Sequence, residues 1–320
     1  MTQKKMSMEI SRNDLIAAQE ELKDLIHNTS VLRSKALNAL AGVDIYFKCE
    51  NFQKTGSFKA RGASNALLKL SAEERKLGVA THSSGNHGQA LAWAAQRLGI
   101  KCWVVMPENS PSVKVAAVKG YGAEVHLCAS NLAARETGLK EVQDRTGALF
   151  IPPYNHRNII IGQSTAAAEL LAEQPDLDAI FAPVGGGGLL AGTALAAHYF
   201  SKKAKVYAGE PAGADDAYRS FYSGTLVEAH EPNTIADGLR TTVGPINFPI
   251  IQEHVSAIYT CEDEEIIAAM RLIYERLKIV IEPSCAVPLA CLLKNTNHFK
   301  RQKVGIILSG GNVDLGKLPF

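Results

Sequence analysis

Lys59 and a run of four glycines are the two features of this sequence with the clearest chemical meaning. Lys59 follows Ser57-Phe58 and opens a helical pattern, and a lysine amine forms an imine with an aldehyde. The glycines, Gly185-Gly186-Gly187-Gly188, separate an apolar strand pattern from an apolar helix pattern. Without side chains, the main chain there can approach a phosphate closely and donate backbone N–H groups to it. Together they predict an aldehyde cofactor that carries a phosphate, which is pyridoxal 5'-phosphate.

Two further polar segments follow predicted strands. Residues 81–88, Thr-His-Ser-Ser-Gly-Asn-His-Gly, place hydroxyl, amide and backbone donors just before a helix, as a grip on a substrate carboxylate requires. A plain Ser/Asn helix cap would explain part of this pattern. Residues 308–312, Leu-Ser-Gly-Gly-Asn, end an apolar strand, where Ser309 can hydrogen-bond a heterocyclic nitrogen. A strand-end turn is the alternative there, and a tight turn for close helix packing is the alternative for the tetraglycine.

Short apolar runs alternate with amphipathic helical patterns along the chain. Strands are predicted at 43–48, 79–81, 101–106, 124–127, 179–184, 205–208 and 303–308, and helices from near Ser11 and at 89–98, 112–119, 131–145, 189–200 and 262–277. Such alternation predicts an α/β protein with mainly parallel sheets. Ligands of these folds bind at the carboxyl ends of strands, where the glycine-rich segments fall.

Composition indicates an ordinary globular protein. The 320 residues are 46% hydrophobic and 21% charged, with a formal net charge of +2. The charges form no basic block, so we expect a small-molecule substrate and neither a nucleic-acid nor a membrane partner. The absence of a leader pattern and of a long apolar run predicts a cytoplasmic location. The six cysteines lack C-x-x-C spacing and are expected to be reduced core thiols.

Four ordered motifs of this chain resemble one enzyme family. Residues 57–62 (Ser-Phe-Lys-Ala-Arg-Gly), residues 83–88 (Ser-Ser-Gly-Asn-His-Gly), the tetraglycine and residues 309–312 (Ser-Gly-Gly-Asn) are similar to the serine racemase and serine/threonine dehydratase branch of the fold-type II pyridoxal phosphate enzymes. The resemblance extends from about residue 15 to residue 315. It implies two open, mainly parallel α/β domains with the active site in the cleft between them. Residues 1–69 and 154–320 would form the large cofactor-binding domain, and residues 70–153 a small inserted domain that carries the carboxylate loop.

The resemblance also implies roles for the residues of the site. Lys59 would hold the cofactor and remove the α-proton of the substrate, and Ser84 would donate a proton on the opposite face. Phe58 would pack against the ring of the cofactor, and Asn86 would hydrogen-bond its phenolic oxygen. Ser309 would face the pyridine nitrogen. The phosphate would be bound by the four glycines Gly185, Gly186, Gly187 and Gly188. The substrate carboxylate would be bound by Ser83, Ser84, Asn86 and His87.

Two more groups of residues bear on metal binding and substrate choice. Glu210, the carbonyl of Ala214 and Asp216 offer hard oxygen ligands for Mg²⁺, or for Ca²⁺ or Mn²⁺, although a solvated acidic turn would look the same without the resemblance. Arg135 lies in a helical pattern with charged neighbours, as a surface arginine would. The resemblance places it near the mouth of the site, where with His82 it would receive the β-carboxylate of 3-hydroxyaspartate.

The implied activity is serine racemisation with competing dehydration of L-serine and L-threonine to pyruvate or 2-oxobutanoate and ammonia, in a homodimer. A threo-3-hydroxyaspartate ammonia-lyase or a catabolic threonine dehydratase is the alternative within the same branch. A nicotinamide-dependent oxidoreductase is a hypothesis from another class, because residues 186–191 (Gly-Gly-Gly-Leu-Leu-Ala) satisfy G-x-G-x-x-A and Glu210 ends the next strand. The oxidoreductase hypothesis gives no function to Lys59 or to the loop that contains Ser84. A non-catalytic pyridoxal phosphate sensor is a further alternative.

Overall fold

The computed structural model describes residues 9–83, 85–110 and 112–320, and within these ranges the chain forms two β-sheets covered by helices. The strands are β1 Val31–Leu32, β2 Asp44–Cys49, β3 Val79–His82, β4 Cys102–Pro107, β5 Glu124–Cys128, β6 Leu149–Phe150, β7 Ala179–Pro183, β8 Lys205–Pro211, β9 Val255–Cys261 and β10 Lys303–Leu308. The helices are α1 Arg12–Leu22, α2 Lys35–Ala41, α3 Lys59–Leu68, α4 Ala72–Leu77, α5 Asn86–Leu98, α6 Ser112–Gly120, α7 Leu132–Thr146, α8 Arg157–Glu173, α9 Gly188–Phe200, α10 Asp216–Ser223, α11 Asn247–His254, α12 Asp263–Leu277 and α13 Pro283–Lys294.

The larger sheet has the strand order β1-β2-β10-β7-β8-β9. β1 pairs antiparallel with β2, and every other neighbouring pair is parallel. Successive side chains of a strand point to opposite faces, so Ile180 and Phe181 of β7 belong to two different apolar clusters. Both faces are therefore buried, which explains why the central strands are continuous apolar runs in the sequence.

The smaller sheet has the order β5-β4-β3-β6, and all its pairs are parallel. Helix α3 contributes Ala60 and Ala63 to the same apolar cluster as Leu91 of α5 and Val104 of β4. Small residues on α3 allow this close packing. Because α3 begins at Lys59, its packing fixes the position of the lysine.

The predicted α/β class with mainly parallel sheets is confirmed, and each predicted strand lies within a strand of the structure or overlaps it closely. The first helix begins after Ser11, whose hydroxyl accepts from the backbone N–H of Asp14 in a capping box. Sequence patterns did not predict β9, which follows α11 directly, or α13, which contains Pro288 inside the helix. An internal proline usually marks a helix boundary, which makes α13 difficult to recognise in the sequence.

All six cysteines are free thiols, and all but Cys128 are buried, as expected. In the part of the chain that the structure describes, no helix is both long enough and apolar enough to span a membrane.

Candidate active site

One cleft of about 520 Å³ brings together most of the predicted site residues. Its walls come from the loops after β3, β7 and β10 and from the first turns of α3 and α5, so it lies at the carboxyl ends of parallel strands. Its volume is typical of small-molecule sites. The predicted residues that line it are Phe58, Lys59, Ser83, Asn86, His87, Arg135, Gly185, Gly186, Gly187, Gly188 and Ser309, and His82 lines it too. Ser84 lies outside the described residues.

Lys59 presents its amine to this cleft. Its Nζ donates to the carbonyl of Pro153 at 2.8 Å and lies 5.1 Å from the centre of the Phe58 ring. Loss of water around the amine lowers the pKa of Lys59 to about 8, although the nearby Glu282 acts in the opposite direction. A lysine with this pKa is substantially neutral at weakly alkaline pH. It therefore has the lone pair that attack on an aldehyde needs.

The lowered pKa of Lys59 predicts how the cofactor-free protein reacts with pyridoxal phosphate at different pH values. Only the neutral amine reacts, so the rate should rise as pH increases through about 8 and then level off. An ordinary lysine would give a midpoint near 10.5. Stopped-flow absorbance of the imine band measures this profile. In Glu282→Gln the midpoint should move below that of the wild type, because a negative charge that favours the ammonium form of Lys59 is lost.

A midpoint near 10 in the wild type would show that Lys59 is not the amine with the lowered pKa that forms the imine.

Glu282 is a cleft residue that the sequence patterns did not identify. It precedes α13, is only 5% exposed, and its Oε1 accepts from the Asn86 side-chain amide at 2.8 Å. Burial, and then the nearby Asp237, raise the pKa of Glu282 to about 7. The sequence Glu282-Pro283 is a recognisable helix start. That signal locates the helix but not the partner of the carboxyl group, which is 196 residues away in the chain.

Asn86 and His87 open α5 at the edge of the cleft. The Asn86 amide donates to Glu282 and accepts from the Asn312 side chain, each at 2.8 Å. Among the described residues these contacts leave one amide hydrogen that can donate to a ligand. Burial, and then Lys59, lower the pKa of His87 to about 3, so its ring is neutral and Nε2 donates to the carbonyl of Ile151 at 2.9 Å. Because the ring already donates to the carbonyl of Ile151, a carboxylate at the helix N-terminus would be bound by the backbone N–H of His87 rather than by its ring.

The tetraglycine forms the turn between β7 and α9. Gly187 has φ +88°, in the left-handed region that favours glycine, and α9 begins at the next residue. A Cβ atom on Gly186 would overlap the ring of Tyr154. The main chain is thus bare at the N-terminus of a 13-residue helix, which is the geometry of a phosphate cradle.

A backbone hydrogen bond joins Ser309 to the segment that carries Lys59. It follows β10, is 3% exposed, and its carbonyl accepts from the backbone N–H of Phe58 at 3.0 Å. Ser57 and Gly310 form an isolated antiparallel bridge beside this bond. The amine, the phosphate cradle and the Ser309 hydroxyl occupy one cleft, so the residues present fit pyridoxal phosphate.

The predicted metal ligands form a separate buried group. Glu210 and Asp216 are both fully buried, so a solvated acidic turn does not fit. Glu210 accepts from the backbone N–H groups of Ala217 and Tyr218 at 2.9 and 2.7 Å, and Oδ2 of Asp216 accepts from that of Val243 at 2.9 Å. Oδ1 of Asp216 has no hydrogen-bond partner among the described residues. Two buried carboxylates with an orphaned oxygen fit a hard cation.

Within the described ranges, no group of three or more His, Cys, Asp or Glu side chains is arranged to hold a metal ion. The predicted set of two carboxylates and the Ala214 carbonyl contains fewer such side chains than that.

Glu210 is enclosed by the start of α10, and burial and the nearby Asp216 raise its pKa well above the usual range. A ribose-binding acid must be accessible, so the oxidoreductase hypothesis does not fit this geometry.

Comparison with known proteins gives a consistent result. Residues 22–310 match the model of the family described as "Pyridoxal-phosphate dependent enzyme". The chain is 49% identical to a serine racemase of Dictyostelium discoideum over 97% of each chain, and 46% identical to a beta-hydroxyaspartate dehydratase of Paracoccus denitrificans over 96% of this chain and 98% of the relative. The crystal structure of the Dictyostelium serine racemase superposes with a TM-score of 0.92, covering 96% of this chain and 99% of that one.

Proposed function

Because this chain belongs to the family of pyridoxal-phosphate dependent enzymes, we propose that it racemises serine and, in competition, dehydrates L-serine and L-threonine to a keto acid and ammonia. The observation that carries the proposal is that Lys59, an amine whose pKa is lowered to about 8, shares one cleft with the tetraglycine cradle. The cofactor, when bound, withdraws electrons from the α-carbon of an amino acid and so makes its α-proton acidic.

The residues of the cleft then have separate roles in the proposed reaction. Lys59 takes the α-proton at its Nζ, which the Pro153 carbonyl orients. Donors at the start of α5 hold the substrate carboxylate, with Ser83 beside them. Return of a proton to the opposite face of the α-carbon, from Ser84, gives the other enantiomer. Dehydration instead breaks the Cβ–O bond, the hydroxyl leaves as water with a proton from the Lys59 ammonium, and hydrolysis releases keto acid and ammonia.

The experiment that tests the proposal measures both products together. The protein is incubated with L-serine, D-serine, L-threonine and threo-3-hydroxyaspartate, with and without Mg²⁺, and enantiomers and keto acids are quantified. Appearance of D-serine and pyruvate from L-serine supports it. Neither product, in a protein that shows the imine absorbance, would favour the non-catalytic sensor.

Ser84→Ala tests the assignment of the second proton donor. We expect the ratio of D-serine to pyruvate formed from L-serine to fall about tenfold or more, because dehydration needs only the Lys59 face. Ser110→Ala is a control for loss of a hydroxyl elsewhere, and it should leave the ratio unchanged. An unchanged ratio in Ser84→Ala would show that another group returns the proton.

Activity on 3-hydroxyaspartate is a second candidate function, which one specific observation favours. Arg135 lines the cleft, and its Nε is buried without a hydrogen-bond partner among the described residues. Burial, and then the Arg135 charge, lower the pKa of the neighbouring His82, whose ring stacks on Phe150. A substrate β-carboxylate would satisfy this guanidinium group.

Arg135→Ala tests that substrate contact. A charge-assisted hydrogen bond contributes about 1.5–3 kcal/mol, so kcat/KM for threo-3-hydroxyaspartate should fall about tenfold more than that for serine. Arg145→Ala, an exposed arginine of the same helix, is the matched control and should leave both values unchanged. If Arg135→Ala lowers both substrates equally, Arg135 does not select the β-carboxylate.

Further parts of the proposal concern the cation and the organisation of the protein. We propose that Glu210, the Ala214 carbonyl and Asp216 bind Mg²⁺ or a related divalent cation that stabilises their loop.

We also propose that residues 70–153, which contain every strand of the smaller sheet, form a small domain that closes over the substrate. We further propose a cytoplasmic homodimer, which the resemblance to the family implies. The sequence contains no basic block, and this supports the absence of nucleic-acid and membrane partners. Sedimentation velocity measures the oligomeric state.

A further inference from the structure

Arg61 is a fully buried charged residue to which the proposed reaction gives no role. Its guanidinium group uses all five of its N–H donors. Two donate to Glu50, at 2.6 Å from Nε and 2.8 Å from Nη2, two donate to Glu169, at 2.6 and 2.7 Å, and one donates to the Thr165 hydroxyl at 3.0 Å. Such paired contacts fix the plane of the guanidinium group as well as the position of its charge.

Lys48 balances the charges around Arg61. Its Nζ lies 2.6 Å from Oε2 of Glu169 and donates to the carbonyl of Thr29 at 2.7 Å. Burial acts to raise the pKa of Glu50, but the charge and the hydrogen bonds of Arg61 outweigh it and hold that pKa below its ordinary value. Lys48, Glu50, Arg61 and Glu169 therefore form a buried ion cluster of two cations and two anions, which has no net charge.

The buried ion cluster joins three elements of the fold. Arg61 lies in the first turn of α3, Glu50 directly follows β2, and Glu169 belongs to α8. Residues two apart on a helix differ in direction by about 200°. Lys59 accordingly faces the cleft, where its amine donates to the carbonyl of Pro153, and Arg61 extends to the opposite, buried side. The cluster thus holds the buried side of the turn that carries the amine.

Helix α8 also packs closely on α9, the helix that begins at the tetraglycine. A Cβ atom on Gly162 of α8 would overlap the carbonyl of Arg61 on α3. A Cβ atom on Gly192 of α9 would overlap the carbonyl of Ile160 on α8. The backbones of α3, α8 and α9 are therefore in direct contact in that order, and α8 connects the turn of the amine to the phosphate cradle.

We propose that the buried ion cluster positions Lys59: by holding the first turn of α3 on α8, it sets the distance from the amine to the phosphate cradle. The inference rests on the proposed role of Lys59 in holding the cofactor. An amine must reach the aldehyde to within about 0.5 Å of the productive geometry, and an error of about 1 Å can cost about 100-fold. Binding of the phosphate at the cradle has no such requirement. The cluster should therefore affect imine formation much more than phosphate binding.

The first test separates these two steps. Pyridoxamine 5'-phosphate has an amine in place of the aldehyde, so it can bind at the cradle but cannot form an imine with a lysine. Arg61→Lys keeps the positive charge but loses the planar guanidinium group, so the Kd for pyridoxamine phosphate should change by less than about threefold. The Kd for pyridoxal phosphate should rise about 10- to 100-fold, with a matching loss of the imine absorbance.

Arg157→Lys is the matched control. Arg157 opens α8, pairs with Asp14 at 2.9 Å and is not among the described residues that line the cleft, so both Kd values should stay unchanged. Equal increases of both Kd values in Arg61→Lys would mean that the cluster only supports the fold, and this result or two unchanged values would overturn the proposal. A wild-type protein that binds pyridoxamine phosphate but forms no imine at Lys59 would instead refute the proposed function, and the inference with it.

The second test asks whether the cluster acts as a unit. Glu50→Gln removes one charge but keeps an oxygen that can accept from Arg61, and it should raise the Kd for pyridoxal phosphate about tenfold. The double variant with Arg61→Lys should raise this Kd by less than the product of the two single effects, because both changes disrupt the same contact. Effects that multiply fully would overturn the assignment to one cluster. Glu50→Gln replaces Arg61→Lys in the first test if Arg61→Lys does not fold.

Discussion

Replacement of Lys59 by alanine is expected to reduce kcat/KM for L-serine by at least about 10³-fold. Under the proposed mechanism the variant would lose both the covalent attachment of the cofactor and the base that takes the α-proton, and a base alone contributes about 10²–10⁴-fold. The measurement is the formation of D-serine and pyruvate by protein saturated with pyridoxal phosphate. Both products should fall together because both routes begin with the same proton transfer.

Lys69→Ala is the matched control for this experiment. Lys69 caps the end of the same helix and forms an exposed ion pair with Glu21 at 2.6 Å, a contact worth little in water. Its removal should leave activity within about twofold of the wild type. A Lys59→Ala protein that keeps more than a tenth of the wild-type activity would contradict the assignment of the base.

Gly186→Ala is expected to weaken the binding of pyridoxal phosphate about 10- to 100-fold. The added Cβ would overlap the Tyr154 ring, so the main chain must move, and such overpacking costs up to about 3 kcal/mol. The displaced atoms include the N–H groups of the cradle, so the cost falls on phosphate binding. Fluorescence titration of the cofactor-free protein measures the Kd.

Two comparisons make this result specific. Gly120→Ala adds the same methyl group at the end of α6 and should leave the Kd unchanged. There the added Cβ would meet, among the described residues, no atom within 4 Å apart from its chain neighbours and the backbone of its own helix. The double variant Gly186→Ala with Tyr154→Ala removes the overlapping ring and should recover most of the lost affinity. Weak binding that the double variant does not recover would place the cause elsewhere in the cradle.

The sequence was sufficient for those parts of the site that depend on local chain geometry. The tetraglycine could be recognised from its position between an apolar strand and an apolar helix, because the proposed phosphate cradle depends only on its missing side chains. Lys59 could be recognised because it opens a helix within residues 57–62, whose order resembles a motif of the family. Parallel strands place their carboxyl ends at one edge, so the alternating pattern also predicted that these segments meet.

Contacts between distant segments could not be predicted in this way. Glu282 affects the pKa of Lys59 from a helix start more than 200 residues away, and nothing near Glu282 in the sequence indicates that contact. The packing of Tyr154 on Gly186 and the position of His230 beside Asp216 likewise depend on how separate loops fold against each other. Periodicity shows which face of an element is buried, but it does not show which loop residues come together.

The most direct test is to treat the freshly purified protein with borohydride and to locate the modified peptide by mass spectrometry. Borohydride reduces the imine between a lysine and pyridoxal phosphate to a stable bond. We predict one pyridoxyl group, on Nζ of Lys59. A protein that carries no such group, or that carries it on a different lysine, would contradict the assignment of this cleft as the active site.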